Sequence, residues 1–242
     1  MTQHTNNNHS PNTIDEGNNY FSLVLASTVH DMKNSLAMLG ESLNQILNEH
    51  CDLQKNKKAK KDIGIVQYES NRVNNSLMQL LALYKLENEQ LPYNPNYHNL
   101  YDFIEEQTII LAELLEAKDI QCNVNVDESI DAFFDANLLA IAVENVIGNA
   151  IRYTNSTINI NCFIDDYLII QINDDGQGYP QKMIDLQGSY MQSINQSTGS
   201  TGLGLFFSEK IAFMHQNKSK TGFIELKNGG ELKGGLFELH LP

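Results

Sequence analysis

Glu144-Asn145-Val146-Ile147-Gly148-Asn149-Ala150-Ile151-Arg152-Tyr153-Thr154 is the stretch on which the reading of the fold turns. Its apolar residues fall at helical spacing and extend back to about residue 136, so the segment predicts a strong helix over roughly 136–153. Asn145 and Asn149 stand four apart and share one side of that helix, with Arg152 one turn beyond. Two amide oxygens at that spacing can hold a hard cation such as Mg2+, which prefers oxygen ligands. A guanidinium one turn on can neutralise phosphate charge. Taken alone, paired asparagines also serve merely to cap or decorate a helix.

Further along the chain come two more pieces of the same chemistry. Thr157–Ile164 and Tyr167–Asn173 alternate as paired strands around Asp165-Asp166. The second strand runs into Asn173-Asp174-Asp175-Gly176-Gln177-Gly178-Tyr179-Pro180. Glycines there let the backbone approach a ligand closely, and a carboxylate beside them can accept a hydrogen bond from an exocyclic amine. A Gly- and Ser-rich segment over 174–202 follows. Ser200-Thr201-Gly202-Leu203-Gly204-Leu205 then opens a helix predicted over about 203–216. Such a helix start turns free N–H groups and a positive dipole end toward phosphate. Two last strands end at Leu241. In the other direction, Ile120–Val126 alternates as a strand, 99–117 reads as helical, and Phe133-Phe134 precede the asparagine helix. The expected C-terminal fold is α+β: a mixed sheet with helices on one face.

The N-terminal third has a different period. Leu25, Val29, Met32, Leu36, Leu39, Leu43 and Ile46 recur at alternating spacings of four and three along a helix expected over 20–50. A lysine-rich turn (52–60) leads to a second helix, about 61–90, where Val66, Val73, Leu77, Leu80 and Tyr84 repeat the pattern. Pro92, Asn94, Pro95 and Asn96 break it. A helical hairpin of this kind leaves its seam exposed, and two hairpins pairing into a four-helix bundle bury both, so a homodimer is expected. With Val29 in the seam, His30 is directed away from the bundle core, with Asp31 beside it and Asn34 one turn further on. A neutral imidazole is a good nucleophile near pH 7, and a neighbouring carboxylate favours its reactive tautomer.

The 242 residues carry 30 acidic and 16 basic side chains, a net charge of −14. That surface disfavours nonspecific nucleic-acid binding and docking on anionic lipid. The short run Lys55, Lys57, Lys58, Lys60, Lys61 reads as a solvated helix start or turn. Cys51, Cys122 and Cys162 are widely separated and give neither metal-site spacing nor a disulfide framework, which suits a reducing, cytoplasmic setting. No apolar run reaches the roughly 18 residues of a membrane span, and no signal pattern opens the chain. Residues 1–19 read as a flexible polar tail. His50, His98, His215 and His240 stand near element ends as expected caps or surface residues, and no histidine falls in a ligand cluster.

Order and spacing of these segments together resemble the bacterial two-component histidine kinases over residues 20–242. His30-Asp31-Met32-Lys33-Asn34 resembles the phospho-acceptor box and Glu144–Tyr153 the asparagine box. Asp174–Gly178 and Ser200–Leu205 resemble the two glycine boxes, and Gly234–Pro242 the last strand. The resemblance implies a hairpin for dimerisation and phosphotransfer over 20–91 and a gyrase-like (Bergerat) ATP-binding sandwich over 97–242. It implies that Asn145 and Asn149 hold Mg2+ and phosphate, that Arg152 contacts phosphate and Tyr153 the nucleoside, and that Asp174 receives the adenine amino group. Gly176, Gly178, Thr201, Gly202, Leu203, Gly204 and Leu205 complete the implied ATP site, with Gly202 and Gly204 in a mobile lid. His30 would attack the γ-phosphate with help from Asp31. The phosphoryl group would then pass to an aspartate of a response regulator receiver domain. The Asn34 position implies dephosphorylation of that regulator.

The chain departs from the family pattern in three places. Ser200 stands where the second glycine box usually has Gly. A phenylalanine-rich lid segment is not evident between 180 and 198, where Tyr190 and Met191 are the nearest substitutes. No sensor domain precedes the hairpin, so input is expected from a separate sensor protein, from the tail, or from nothing. Alternative readings are a degenerate ATP-fold scaffold that binds regulators, a phosphatase without kinase activity, and a serine-protein kinase of the anti-sigma type. The last has no need of the His30–Asn34 box.

Overall fold

In the computed structural model, residues 29, 32–43, 45–46, 57–88, 90–185 and 203–242 are described. The N-terminal pair of helices is α1, covering residues 32–43, and α2, Lys57–Glu87. Ser70 Oγ donates to Leu36 O at 3.5 Å, so the two lie side by side. Within one chain the seam residues Met32, Leu39 and Ile46 of the first helix and Val66, Val73 and Leu80 of the second stay exposed.

After α2 come β1 (Asn96–Asn99), α3 (Leu100–Ile110), α4 (Ala112–Ala117), β2 (Gln121–Val126), β3 (Asp131–Phe134) and α5 (Ala136–Tyr153). β4 (Thr157–Ile164), β5 (Leu168–Asp174), the short α6 (Gln181–Asp185) and α7 (Leu203–Met214) follow. The chain closes with β6 (Gln216–Asn217), β7 (Lys220–Thr221), β8 (Phe223–Asn228) and β9 (Gly235–Leu241). The main sheet has the order β2-β4-β5-β9-β8. Only its β2–β4 pair is parallel, as the α5 crossover between these strands requires. This is the expected mixed sheet with helices over one face.

Strand parity builds the core. Ile158, Ile160 and Cys162 of β4, Ile170 and Ile172 of β5, Ile224 and Leu226 of β8 and Phe237, Leu239 and Leu241 of β9 are buried under the helices. They meet Leu139, Val143, Val146 and Ile147 of α5 and Phe207 and Ile211 of α7. The opposite face is polar. Asn123 Nδ2 donates to Asn159 Oδ1 and Asn125 Nδ2 to Asn161 Oδ1, both at 2.9 Å. Ala82 and Leu83, from the last turns of α2, belong to the same apolar cluster as the sheet.

The helix expected over 99–117 is broken at Leu111, where φ −100° and ψ 1° leave helical geometry. Asn99 caps α3 by accepting from Asp102 N at 3.0 Å. The ribbon β1–β3 and the two-residue pair β6–β7 are too short for an alternation signal.

Two histidines expected at the surface are inside. His215 lies just beyond α7, with Nε2 accepting from Asp135 N at 3.1 Å and Nδ1 paired with Ile211 O at 2.8 Å. The neutral ring fits both bonds, Nδ1 donating and Nε2 accepting. Burial lowers its pKa, against the Ile211 bond and the Asp135 charge. A depressed folded-state pKa means stability that is present above the unfolded value, about 6.5, and is lost as pH falls. The melting midpoint is therefore expected to fall from pH 6.5 toward 5 in the parent chain. His215→Gln is expected to melt lower at pH 7.5 but to vary less over that window. His240 is the second; Phe223 and Tyr167, brought in by strand pairing, cover it.

Candidate nucleotide site

The inward parity of Ile170 and Ile172 carries on to Asp174, a residue 7% exposed that ends β5. Asp174 Oδ1 accepts from Gly176 N at 2.8 Å and Gly235 N at 3.2 Å, leaving Oδ2 outside both bonds. Burial pushes this carboxyl's pKa up, the two N–H bonds oppose the rise, and the neighbouring Asp175 charge adds to it. The backbone crowds in around it. A Cβ on Gly176 would strike the Tyr153 carbonyl oxygen, and one on Gly235 would come to 2.8 Å from Asp174 Oδ2. Glycines at these points let β5, β9 and the end of α5 converge on one carboxylate.

Asp175 points the other way. It accepts from the Thr154 hydroxyl, from Asn155 N at 2.8 Å, and from Ser156 N and Oγ at 2.9 and 2.7 Å. Desolvation resists its ionisation, yet the Thr154 and Ser156 hydrogen bonds hold its pKa well below the usual carboxylate range. Asp175 thus ties the exit of α5 to the end of β5. Asp175→Ala is expected to lower stability by about 1–2 kcal/mol at pH 7, since the group is near solvent. Its stabilisation is present above the unfolded carboxylate pKa, about 3.9, so urea melts of parent and variant should converge as pH drops below that value.

Asn145 and Asn149 are half-buried on α5. The Asn145 amide lies directly against Gly204 in the first turn of α7, where any Cβ would collide with it. Its side-chain nitrogen is buried and makes no hydrogen bond, an orphan polar atom of the kind that marks a ligand position. Leu205 is buried behind Gly204. Arg152 lies over the Tyr153 ring, 5.5 Å from its centroid, and Tyr153 is half exposed. The structure thus gathers Asp174, Gly176, the end of α5 and Tyr153 at one edge, and pairs Asn145 with Gly204 along the same helix.

Asn34 is an exposed residue of α1. His30, Asp31, Thr201 and Gly202 lie outside the described residues, and Leu203 is described in its backbone alone.

Sequence reasoning singled out Gly178 but missed the supports, Asn228 and Asn173. Gly178 has φ +77°, and Asn228 clamps the next residue by accepting from Tyr179 N at 2.6 Å and donating to Tyr179 O at 2.8 Å. Asn173 Nδ2 donates to Gly235 O at 2.7 Å and its Oδ1 accepts from Leu232 N at 2.8 Å, which seats the Gly229–Gly235 turn beneath Asp174. Their partners are distant in sequence, so no local pattern announces them. The half-buried Glu144 has its pKa raised by burial and by Glu106.

Residues 134–242 match the family described as histidine kinase-, DNA gyrase B-, and HSP90-like ATPase, and the sheet under its helices has that family's fold. This places the similarity of the C-terminal region in that class of ATPases. Within that class the similarity is to histidine kinases. The chain is 25% identical over 225 residues to histidine kinase P4 of Formosa agariphila, covering 88% of this chain and 16% of that protein. It is 25% identical over 200 residues to sensor histidine kinase YvrG of Bacillus subtilis, covering 79% of this chain and 34% of that one. The chain therefore spans about a third or less of the length of these two relatives. Among solved structures, the fold matches the catalytic domain of histidine kinase ThkA (TM-score 0.52, 22% identity, 62% of this chain and 97% of that one). It also matches the Acinetobacter baumannii histidine kinase AdeS (TM-score 0.57, 19% identity, 74% and 83%). No helix among the described residues is long and apolar enough to cross a membrane.

Proposed function

We propose that the protein is a histidine autokinase: ATP held at the α5–α7 edge phosphorylates His30, and the phosphoryl group passes to an aspartate of a response regulator receiver domain. The observation that carries this reading is the Asp174 carboxylate, buried and fixed by the N–H groups of Gly176 and Gly235. An ionised, rigid acceptor at the end of a core strand suits the exocyclic amine of adenine, and the Asn145–Gly204 approach suits phosphate beyond it. The half-buried Asn145 and Asn149 supply amide oxygens of the kind Mg2+ takes, and the unsatisfied Asn145 side-chain N–H suits a phosphate oxygen. Bound there, Mg2+ would offset the charge of the phosphate chain. Arg152 adds a fixed positive charge at the same edge. Tyr153 offers a half-exposed ring face to the nucleoside.

His30 is the nucleophile, its Asp31 neighbour taking up the proton from the far ring nitrogen. Asn34, exposed on α1, orients water against the phosphorylated regulator, giving a second, phosphatase activity. The exposed apolar residues Met32, Leu39, Ile46, Val66, Val73 and Leu80 support a homodimer, in which two hairpins close into a four-helix bundle. The whole assembly works in the cytoplasm. Incubation with Mg2+ and γ-labelled ATP tests the reading. A label on the protein that is acid-labile and alkali-stable is expected; an acid-stable label would point to hydroxyl chemistry and overturn it.

A further inference from the structure

We propose that Glu225, Glu238 and His240 form a binding site for a divalent transition-metal ion of the zinc type, on the polar face of the sheet, opposite the helices. The pairing of β8 with β9 sets Glu225 across from Glu238 and Phe223 across from His240, all on the outer face. One ligand atom from each of the three residues lies within 4.8 Å of the others. His240 Nε2 is 3.5 Å from Glu238 Oε2 and 3.9 Å from Glu225 Oε2. A tetrahedral ion with bonds of about 2.0–2.1 Å separates its ligand atoms by about 3.4 Å, so small side-chain adjustments suffice.

His240 gives an independent sign of a ligand. The residue is 8% exposed, and its Nε2 is buried without a hydrogen bond. The ring is held by stacking on Phe223 at 4.2 Å, 7° from parallel, and by the edge contact with Tyr167. Nε2 is therefore aimed at the two carboxylates by packing rather than by a bond of its own. Gln171 Nε2 donates to Glu238 Oε1 at 2.6 Å, which fixes that carboxylate and leaves Oε2 on the site side.

Lys227 occupies the cation position by another means. Its Nζ lies 2.7 Å from Glu225 Oε2 and 2.8 Å from Glu238 Oε2, on a side chain 45% exposed and free to swing out. The cluster attracts positive charge, and a metal must displace the ammonium to bind. One imidazole nitrogen with two carboxylate oxygens and a water suits Zn2+ better than Mg2+, which prefers oxygen alone.

The full-length chain titrated with ZnCl2, without nucleotide or chelating buffer, tests the proposal by calorimetry and thermal melting. One saturable ion per chain is expected, raising the melting midpoint by about 5–10 °C at a hundred times Kd. Glu225→Gln and His240→Gln should each weaken binding at least about tenfold, and Lys227→Met should tighten it about tenfold because the competing ammonium is gone. ATP affinity should be unchanged in all three, which reports folding. Absence of Zn2+ binding to both the parent chain and Lys227→Met overturns the proposal. So does binding that Glu225→Gln leaves undiminished, since histidines and cysteines elsewhere would then carry it. Glu225 is only half-buried, so its variant remains informative where His240→Gln fails to fold.

Discussion

His30→Gln is expected to reduce phospholabelling from ATP to background, a loss of more than about a hundredfold, while nucleotide affinity and dimerisation stay intact. Glutamine approximates the size and polarity of imidazole but has no nucleophilic ring nitrogen, so the variant removes chemistry and little else. Val29, the preceding residue, is 2% exposed at its seam position. Phosphorimaging after gel separation measures the effect, and calorimetry with a non-hydrolysable ATP analogue checks that the pocket survives. Equal labelling of parent and variant would remove His30 from the reaction. The companion Asn34→Ala is expected to keep the label on His30 but to slow release of phosphate from a phosphorylated receiver.

Asp174→Asn is expected to weaken ATP binding by about a hundredfold. The carboxylate presents two acceptor oxygens, one engaged by Gly176 and Gly235 and the other left for a ligand. An amide in its place keeps one acceptor and turns a donor either toward those N–H groups or toward the amine it should receive. Loss of a buried, charge-assisted hydrogen bond together with one mismatched donor costs about 3 kcal/mol, which is roughly a factor of a hundred in Kd. Because burial raises the Asp174 pKa, ATP affinity in the parent should decline as acidification protonates this group above the ordinary carboxylate range. The variant should lack that decline. Calorimetric titrations at several pH values measure both effects. Unchanged affinity in Asp174→Asn would place the base elsewhere.

Much of this was legible in the chain because its signals are periodic. The alternation of Ile170, Ile172 and Asp174 already assigns the acid to the inner face, and helical spacing aligns Asn145 with Asn149. What escaped depends on pairing between distant segments. Asp175 looks like a second copy of Asp174 in sequence; only the approach of residues 154–156 makes it a structural tie. Asn228 and Asn173 are unremarkable strand asparagines until the β8–β9 turn folds under β5. His240, read as a surface residue, is covered by an aromatic from the neighbouring strand and another from the β4–β5 turn. The break at Leu111 has no proline or glycine to announce it.

The apolar cluster that takes in Ala82 and Leu83 from α2 along with Phe206 and Phe207 from α7 has a mechanical consequence. The rod and the helix that begins at the nucleotide edge are geared together by shared side chains. A torque applied at the far end of the rod must either carry α7 round with it or strip those residues of their neighbours. Close-packed interiors resist partial slippage, so such a joint transmits rotation in steps rather than smoothly.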